Sequence, residues 1–278
     1  MSTTISVANP SCLLFLVDQS ASMRESFGGQ RTALTKAEGV SDAINRLLQN
    51  LVIKCAKSTG VRDYYFVGVL SYGEQVRPAF QGRLEKRELV PISEIADAPL
   101  RIEERTKLLD DGLGGLIKQT VKFPVWFEAT AAGKTPMCTA IHYAQKIIQK
   151  WLSKHPDCFP PIVINITDGM ATDGNPLKAA QTLKSLSSSS GQILFFNIHF
   201  SAQQANPIEF PDNEAILPNK YATLLFRMSS LLPTYLREIA SQEYNIPISE
   251  KTRGFTFHAD MVALIKFLDI GTRPAHFS

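Results

Sequence analysis

The chain has 278 residues, 44% hydrophobic and 20% charged, with 29 basic against 26 acidic side chains and a net charge of +3. That length is enough for a full core, and so balanced a charge argues against the basic footprint of a nucleic-acid binder. No apolar stretch approaches the about 20 residues of a membrane helix, the polar segment Met1–Pro10 lacks a basic n-region, and the four cysteines form no C-x-x-C pair; no secretory signal is expected, and reduced thiols and a cytoplasmic location are.

Strand and helix patterns alternate, which predicts an α/β fold: a doubly wound, mostly parallel sheet covered by helices on both faces. Leu13–Asp18 is the first strand, a continuous apolar run that stops at a carboxylate. Ala33–Ala56 is an amphipathic helix, with Ala37, Val40, Ile44, Leu47, Leu51 and Cys55 recurring at three- and four-residue steps. Asp63–Tyr72 is a second buried strand, and an edge strand begins near Gln75, beside Pro78. From 82 to 132 the pattern turns irregular and reads as an insertion before the Thr135 loop. Within it Gly112, Gly114 and Gly115 mark turns, Val121–Glu128 reads as a strand, and charges of alternating sign read as solvated surface. Thr139–Leu152 is a helix with Ile141, Ala144, Ile148 and Trp151 on one face, and Pro161–Thr167 is the strand before Asp168. Pro176–Leu186 is a helix with a proline just inside its start. A serine-rich turn at 187–191, a buried strand Gln192–His199 and a long polar connection over 201–219 follow. Tyr221–Met228 and Pro233–Ser241 are helical, and 253–278 holds the last strand and the C-terminal helix. One domain over residues 1–278 is expected, without internal repeats.

Three segments carry candidate chemistry: Asp18-Gln19-Ser20-Ala21-Ser22 after the first strand, Gly133-Lys134-Thr135-Pro136 before a helix, and Ile166-Thr167-Asp168-Gly169 after a strand. Asp18, Ser20, Ser22, Thr135 and Asp168 offer oxygen and neither sulfur nor imidazole, a ligand set for a hard divalent cation. In a doubly wound sheet, ligands bind at the carboxyl ends of strands where the strand order switches. If the strands ending at Asp18 and Asp168 are neighbours, about 4.8 Å apart, both carboxylates can face one centre. Ser20 and Ser22 are alternate residues of an extended turn and can reach the same side.

In this order, these motifs resemble the metal-ion-dependent adhesion site of von Willebrand factor A (vWA) domains. The resemblance runs from Ser11 to about His199, with a last strand and helix after it. It implies a vWA or Rossmann-like fold in which Asp18, Ser20, Ser22, Thr135 and Asp168 hold Mg²⁺; the same oxygens serve Mn²⁺ or Ca²⁺. It also implies a non-enzymatic adaptor or scaffold whose metal, weakly neutralised by two carboxylates, captures an Asp or Glu of a protein partner. Gln19, Arg24, Lys134, Gly169 and Met170 would form the rim that meets it. Intracellular members of the family serve kinases, phosphatases or ATPases of the same operon. The size and the DxSxSM start are also similar to vWA proteins of tellurite-resistance and stress-signalling clusters. A departure from the family pattern is the segment Arg24–Thr32, with Gly28-Gly29, which lengthens the approach to the first helix and is expected on the rim.

Other readings are less well served. A Mg²⁺-dependent phosphatase using Asp18 would need a second Asp two residues on, where Ser20 stands. No G-x-G-x-x-G follows the first strand and no G-x-x-x-x-G-K-[ST] occurs, which argues against a nucleotide site. The histidines, His142, His155, His199, His258 and His276, are scattered; His199 and His258 sit at strand ends, where either can line a site. No catalytic residue is assigned.

Overall fold

The computed structural model describes residues 5–26, 34–110, 116–201 and 205–273. In chain order its elements are β1 (Ser11–Asp18), α1 (Lys36–Cys55), β2 (Tyr65–Tyr72), β3 (Val76–Pro78), β4 (Val90–Pro91), α2 (Ile92–Asp97), β5 (Arg101–Asp110), β6 (Leu116–Val125), α3 (Met137–Lys154), β7 (Ile162–Thr167), α4 (Leu177–Lys184), β8 (Leu194–Phe200), β9 (Ile208–Glu209), α5 (Lys220–Met228), α6 (Thr234–Tyr244), β10 (Phe255–Ala259) and α7 (Met261–Gly271). Short turns and two-residue hairpins connect some of them.

The main sheet has eight strands in the order β9-β10-β8-β7-β1-β2-β3, with β4 also on β2. β2, β1, β7, β8 and β10 run parallel, and β3, β4 and β9 are antiparallel additions. This is the mixed, mostly parallel α/β fold that the alternation of elements predicts. All eight residues of β1 are buried, because helices cover both faces. Leu13, Phe15 and Val17 point into a core with Val40, Ile44 and Leu48 of α1, Leu236 of α6 and Leu264 and Phe267 of α7. Cys12, Leu14 and Leu16 point into a second core with Ile141 and Ile148 of α3, Leu183 of α4 and Leu225 of α5. The period of two along the strand separates the two cores.

The chain passes from β1 through α1 to β2 on one side, and later places β7 on the other side of β1. The order therefore switches between β1 and β7. Val17 lies opposite Ile166, so Asp18 and Thr167-Asp168 emerge together at the carboxyl edge.

One polar row crosses the apolar interior beneath that edge. The Tyr72 hydroxyl reaches across β1 and donates to Asn165 Oδ1 at 2.7 Å. Asn165 Nδ2 donates to Asn197 Oδ1 at 3.0 Å, and Asn197 Nδ2 to Ser229 Oγ at 2.9 Å. Ser229 Oγ donates to the Leu225 carbonyl at 2.8 Å, at the end of α5. Each member finds a partner, which is the condition for burying amides at all.

Several boundaries differ from the sequence reading, each for a local reason. α1 begins at Lys36, not Ala33, because Thr35 and Glu38 form a reciprocal capping box. The segment expected to be irregular holds β5 and β6, a ribbon paired over ten residue pairs. Charged and polar residues fill most of β5 and the first half of β6, so the apolar alternation that normally signals a strand is confined to Val121, Phe123 and Val125. The ribbon stands on α1: Arg105 pairs with Asp42 at 2.8 Å, and Arg101 pairs with Glu128. Residues immediately after it, Trp126 and Phe127, are core residues. Asn45 of α1 fixes them by accepting from Trp126 N–H at 2.9 Å and donating to the Phe127 carbonyl at 3.1 Å. The strand expected at Val121–Glu128 thus starts earlier and stops at Val125. The connection at 201–219 contains β9, which pairs with β10 through Ile208 and Phe257. Gly28, Gly29, Gly112, Gly114, Gly115 and His276 lie outside the described residues. All four cysteines are free thiols. Among the described residues no helix is long and apolar enough to cross a membrane.

Candidate metal centre

The loop after β1 is shaped by its own carboxylate. Ser20 N–H donates to Asp18 Oδ1 at 2.9 Å, a side-chain turn of the kind Asp favours. The chain then makes a single turn of 3-10 helix at Ala21–Arg24. This brings Ser20 Oγ and Ser22 Oγ to 3.1 Å of each other. Ser22 Oγ donates to Asp168 Oδ1 at 2.7 Å, joining the first and third motifs. The other oxygen of Asp18 accepts from Thr167 Oγ1 at 2.7 Å.

Thr135 comes from a loop laced to the first by main-chain bonds. Ala132 N–H donates to the Gln19 carbonyl at 2.7 Å, Ala21 N–H to the Gly133 carbonyl at 3.1 Å, and Gln19 N–H to the Tyr72 carbonyl at 2.7 Å. The backbones approach so closely that a Cβ at Gly73 would lie 2.6 Å from the Gln19 carbonyl oxygen. At Gly133, where φ is +79°, a Cβ would lie 2.5 Å from the Glu74 backbone. Only glycine fits both places. On its other flank Thr135 is tied to the Asp168 loop. Thr135 N–H donates to Thr172 Oγ1 at 3.1 Å, and Thr172 N–H to the Thr135 carbonyl at 2.9 Å. Asp173 then caps α3, accepting from Cys138 N–H at 3.0 Å and Thr139 N–H at 2.8 Å. A Cβ placed on Gly169 would be 4.0 Å from Thr135 Oγ1, which sets that hydroxyl beside the Asp168 loop.

All five residues singled out from the sequence therefore lie at this edge, on three interlaced loops. The rim residues are placed less uniformly. Lys134 is exposed and Met170 is 67% exposed. Arg24 lies at the surface and donates from Nε to the Ala131 carbonyl at 2.6 Å. Gly169 is half-buried, and its carbonyl accepts from the Tyr221 hydroxyl. Gln19 is largely buried and accepts from Thr130 Oγ1 at 2.6 Å, beside a groove of about 450 Å³ that it lines with Arg77, Phe80 and Glu128.

Sequence reasoning overlooked five contributors. Thr167 holds Asp18, and its role was hidden inside the Thr-Asp-Gly motif. Thr172 and Asp173 belong to a second Thr-Asp-Gly, at 172–174, whose repetition was the available signal. Tyr221 offered no signal in the sequence. Lys36 falls on the apolar row Lys36, Val40, Ile44, Leu48 of α1, and a charge there was the clue. Its ammonium pairs with Asp168 Oδ2 at 2.9 Å and with Glu25 at 2.6 Å.

The charge state of the cradle tests its fitness for a cation. Asp18 is fully buried and the Asp168 side chain is 1% exposed. Among the described residues, the one cation paired with either carboxylate is Lys36, and it is shared with Glu25. Burial pushes Asp18 up to about 6, against hydrogen bonds from Ser20 and Thr167 that favour the anion, and Asp168 raises it further. Burial lowers the Lys36 pKa, but its bonds to Glu25 and Asp168 outweigh that and hold it above its usual value. Asp168 thus shares one ammonium with Glu25 and, among the described residues, Asp18 has none, a deficit of positive charge in a site offering oxygen alone. Among the described residues no three Asp, Glu, His or Cys side chains gather, so hydroxyls must complete any ligand set. This chemistry fits a hard divalent ion.

His199, at the end of β8, is neutral in function: burial and the neighbouring His258 push it down to about 3. It stacks on Phe257 at 4.2 Å and accepts from His258 N–H at 3.3 Å, a structural role. Cys138 is pushed up to about 11 by burial and Asp173, so its thiol is not activated.

No family model matches the chain, and no curated protein matches it. Solved structures similar to it include several vWA domains. A von Willebrand factor type A protein from Catenulispora acidiphila is 14% identical, with a TM-score of 0.40 over 69% of this chain and 34% of that one. The manganese-loaded TRAP protein of Plasmodium vivax is 13% identical, with a TM-score of 0.46 over 96% and 75%. The vWF domain of a type V pili tip protein from Porphyromonas gingivalis is 11% identical, with a TM-score of 0.45 over 94% and 93%. The chain spans about a third of the length of the Catenulispora protein. With each of these TM-scores below 0.5, the site rests on its own geometry.

Proposed function

We propose that this chain is a non-enzymatic, metal-dependent protein-binding module. The observation that carries the reading is the convergence of Asp18, Ser20, Ser22, Thr135 and Asp168 on one edge, with two buried carboxylates short of positive charge. Asp18, Ser20, Ser22, Thr135 and Asp168 would hold a divalent ion, Mg²⁺ by availability and Mn²⁺ or Ca²⁺ by the same oxygens. When bound, the ion supplies an electrophilic position for an Asp or Glu of a protein partner. The chain's own residues do the rest. Thr167 and Ser20 N–H orient the Asp18 carboxylate, and the Asp173 cap and the Thr172 bonds fix Thr135 against the Asp168 loop. Hydroxyls in place of further carboxylates leave the ion weakly neutralised, which favours capture of an outside anion over tight storage.

Asp18 as a phosphatase nucleophile is disfavoured: it is fully buried, and both of its oxygens are engaged by the loop. A cytoplasmic adaptor working with a kinase, phosphatase or ATPase, in a stress-response or signalling operon, suits the weaker likeness to tellurite-resistance-associated proteins.

Paramagnetic resonance of added Mn²⁺ tests the site. Wild type should bind about one equivalent and Asp168→Ala none, and pull-downs should retain an acidic partner with Mg²⁺ and lose it with EDTA. Failure of the wild type to bind Mn²⁺ would sink the reading. A partner retained equally with EDTA and by Asp168→Ala would move the interface off the metal.

A further inference from the structure

We infer that Lys36 is a tethered counter-cation that competes with the divalent ion for Asp168, with Glu25 as its alternative anchor, and so sets how tightly the site takes metal. The inference rests on the proposed metal site and goes beyond its ligand set.

Lys36 opens α1, and its side chain is 6% exposed. Burying an ammonium is costly unless it is paired. Here it is paired twice, with Asp168 Oδ2 at 2.9 Å and Glu25 Oε2 at 2.6 Å. The Asp168 carboxylate is thereby divided: Oδ1 receives the Ser22 hydroxyl at 2.7 Å and Oδ2 receives Lys36. A divalent ion drawing on Asp168 meets a positive charge already in contact with its ligand, and like charges this close in a buried setting oppose each other strongly. Glu25 changes the balance. Its side chain is 63% exposed, and it is fixed to the start of α1 because Lys36 N–H donates to the Glu25 carbonyl at 3.0 Å. Glu25 can keep the ammonium paired when Asp168 turns to metal. Lys36 thus has an anchor inside the ligand set and one outside it. The affinity of the site follows from the competition between the two.

The two anchors predict effects of opposite sign. Mn²⁺ affinity of the full chain is measured by paramagnetic resonance for wild type, Lys36→Met, Glu25→Gln and Asp18→Asn, with melting curves to confirm folding. Lys36→Met keeps the length of the side chain and removes the competitor, so Mn²⁺ should bind at least tenfold tighter. Glu25→Gln removes the outside anchor and leaves the ammonium to Asp168, so binding should weaken several-fold. An exposed glutamate with no such role would leave it unchanged. Unaltered or weaker binding by folded Lys36→Met overturns the inference, as does unaltered binding by Glu25→Gln; if Lys36→Met does not fold, the Glu25→Gln arm decides. Loss of binding in Asp18→Asn, alongside binding by wild type, upholds the metal site whichever way the Lys36 arm falls. Binding by none of the proteins overturns both.

Discussion

Replacing Asn165 with alanine should be among the most damaging single changes in the chain, although Asn165 touches neither solvent nor a proposed metal ligand directly. Its side chain is fully buried in the middle of the polar row. Alanine would strip the Tyr72 hydroxyl of its acceptor at 2.7 Å and leave it the Ile166 carbonyl at 3.4 Å and the Thr167 hydroxyl. It would also leave Asn197 Oδ1 without the amide that donates to it at 3.0 Å. Tyr72 cannot compensate by ionising, because burial holds its pKa well above the usual value. Each orphaned buried group costs about 1–3 kcal/mol, and the lost volume adds about 1 kcal/mol. The total is about 3–7 kcal/mol, and for a chain of this size about 2–4 °C is lost per kcal/mol. Denaturant unfolding followed by tryptophan fluorescence and circular dichroism measures it. A cycle with Asn197→Ala should be less than additive, because each change orphans groups the other has already disrupted. A loss below about 1 kcal/mol for Asn165→Ala, with the two probes coincident, would refute the account of the row as a fully coupled network.

Three further outcomes are expected. Saturation with Mg²⁺ at a hundred times its dissociation constant should stabilise the protein by about 2.7 kcal/mol, read as a rise in melting temperature that is absent in Asp168→Ala. Gly133→Ala should cost at least about 2 kcal/mol and weaken Mn²⁺ binding, since φ of +79° and the Glu74 backbone both exclude a Cβ; an unchanged melting temperature would count against the lacing of the loops. The Asp173 carboxyl is held below its usual range: burial raises its pKa, but the N–H bonds of Thr139 and Cys138 outweigh that. A depressed carboxylate adds stability above its unfolded pKa of about 3.9 and loses it as pH falls through the folded value. Asp173→Asn should therefore be less stable than wild type by about 1 kcal/mol at pH 7, a figure already reduced for its exposure, with the gap closing in acid. A gap that stays constant as the pH is lowered until the Asp173 carboxyl protonates would show that charge is not the cause.

The sheet was legible because its strands are buried on both faces. Leu13–Val17 is an unbroken apolar run and Ile162–Ile166 is broken only by Asn165, and their ends place Asp18 and Asp168 at the carboxyl ends of two strands; that the strands are neighbours is a product of the fold. Much of the β5–β6 ribbon was illegible for the opposite reason: Arg101, Glu103 and Arg105 pair with one another along β5, and a period of two in hydrophobicity survives only at Val121, Phe123 and Val125 of β6, where a strand was expected. The ligand residues were legible because their types and order are local. The parts that hold them were not. Asp173 acts on Cys138 and Thr139 over a separation of about 35 residues, and Lys36 meets Asp168 over 132. Such pairings are products of the tertiary fold, and local periodicity carries no trace of them. The capping box at Thr35 and Glu38 was visible in principle, and the apolar residues around it drew the helix start three residues too early.

The ties that align the Asp18 loop with the Thr135 loop are made by peptide groups: Ala21 and Ala132 contribute amides, and Gln19 and Gly133 contribute carbonyls. A peptide group is the same whatever side chain it bears. Apart from Gly73 and Gly133, the tie between these two loops is therefore indifferent to the identity of the residues that make it, whereas the Asp168 loop is held by the side chains of Ser22, Thr172 and Asp173. Side chains on those two loops can therefore change without loosening the tie between them, and selection can redraw the surface there while the Asp168 loop keeps its own residues.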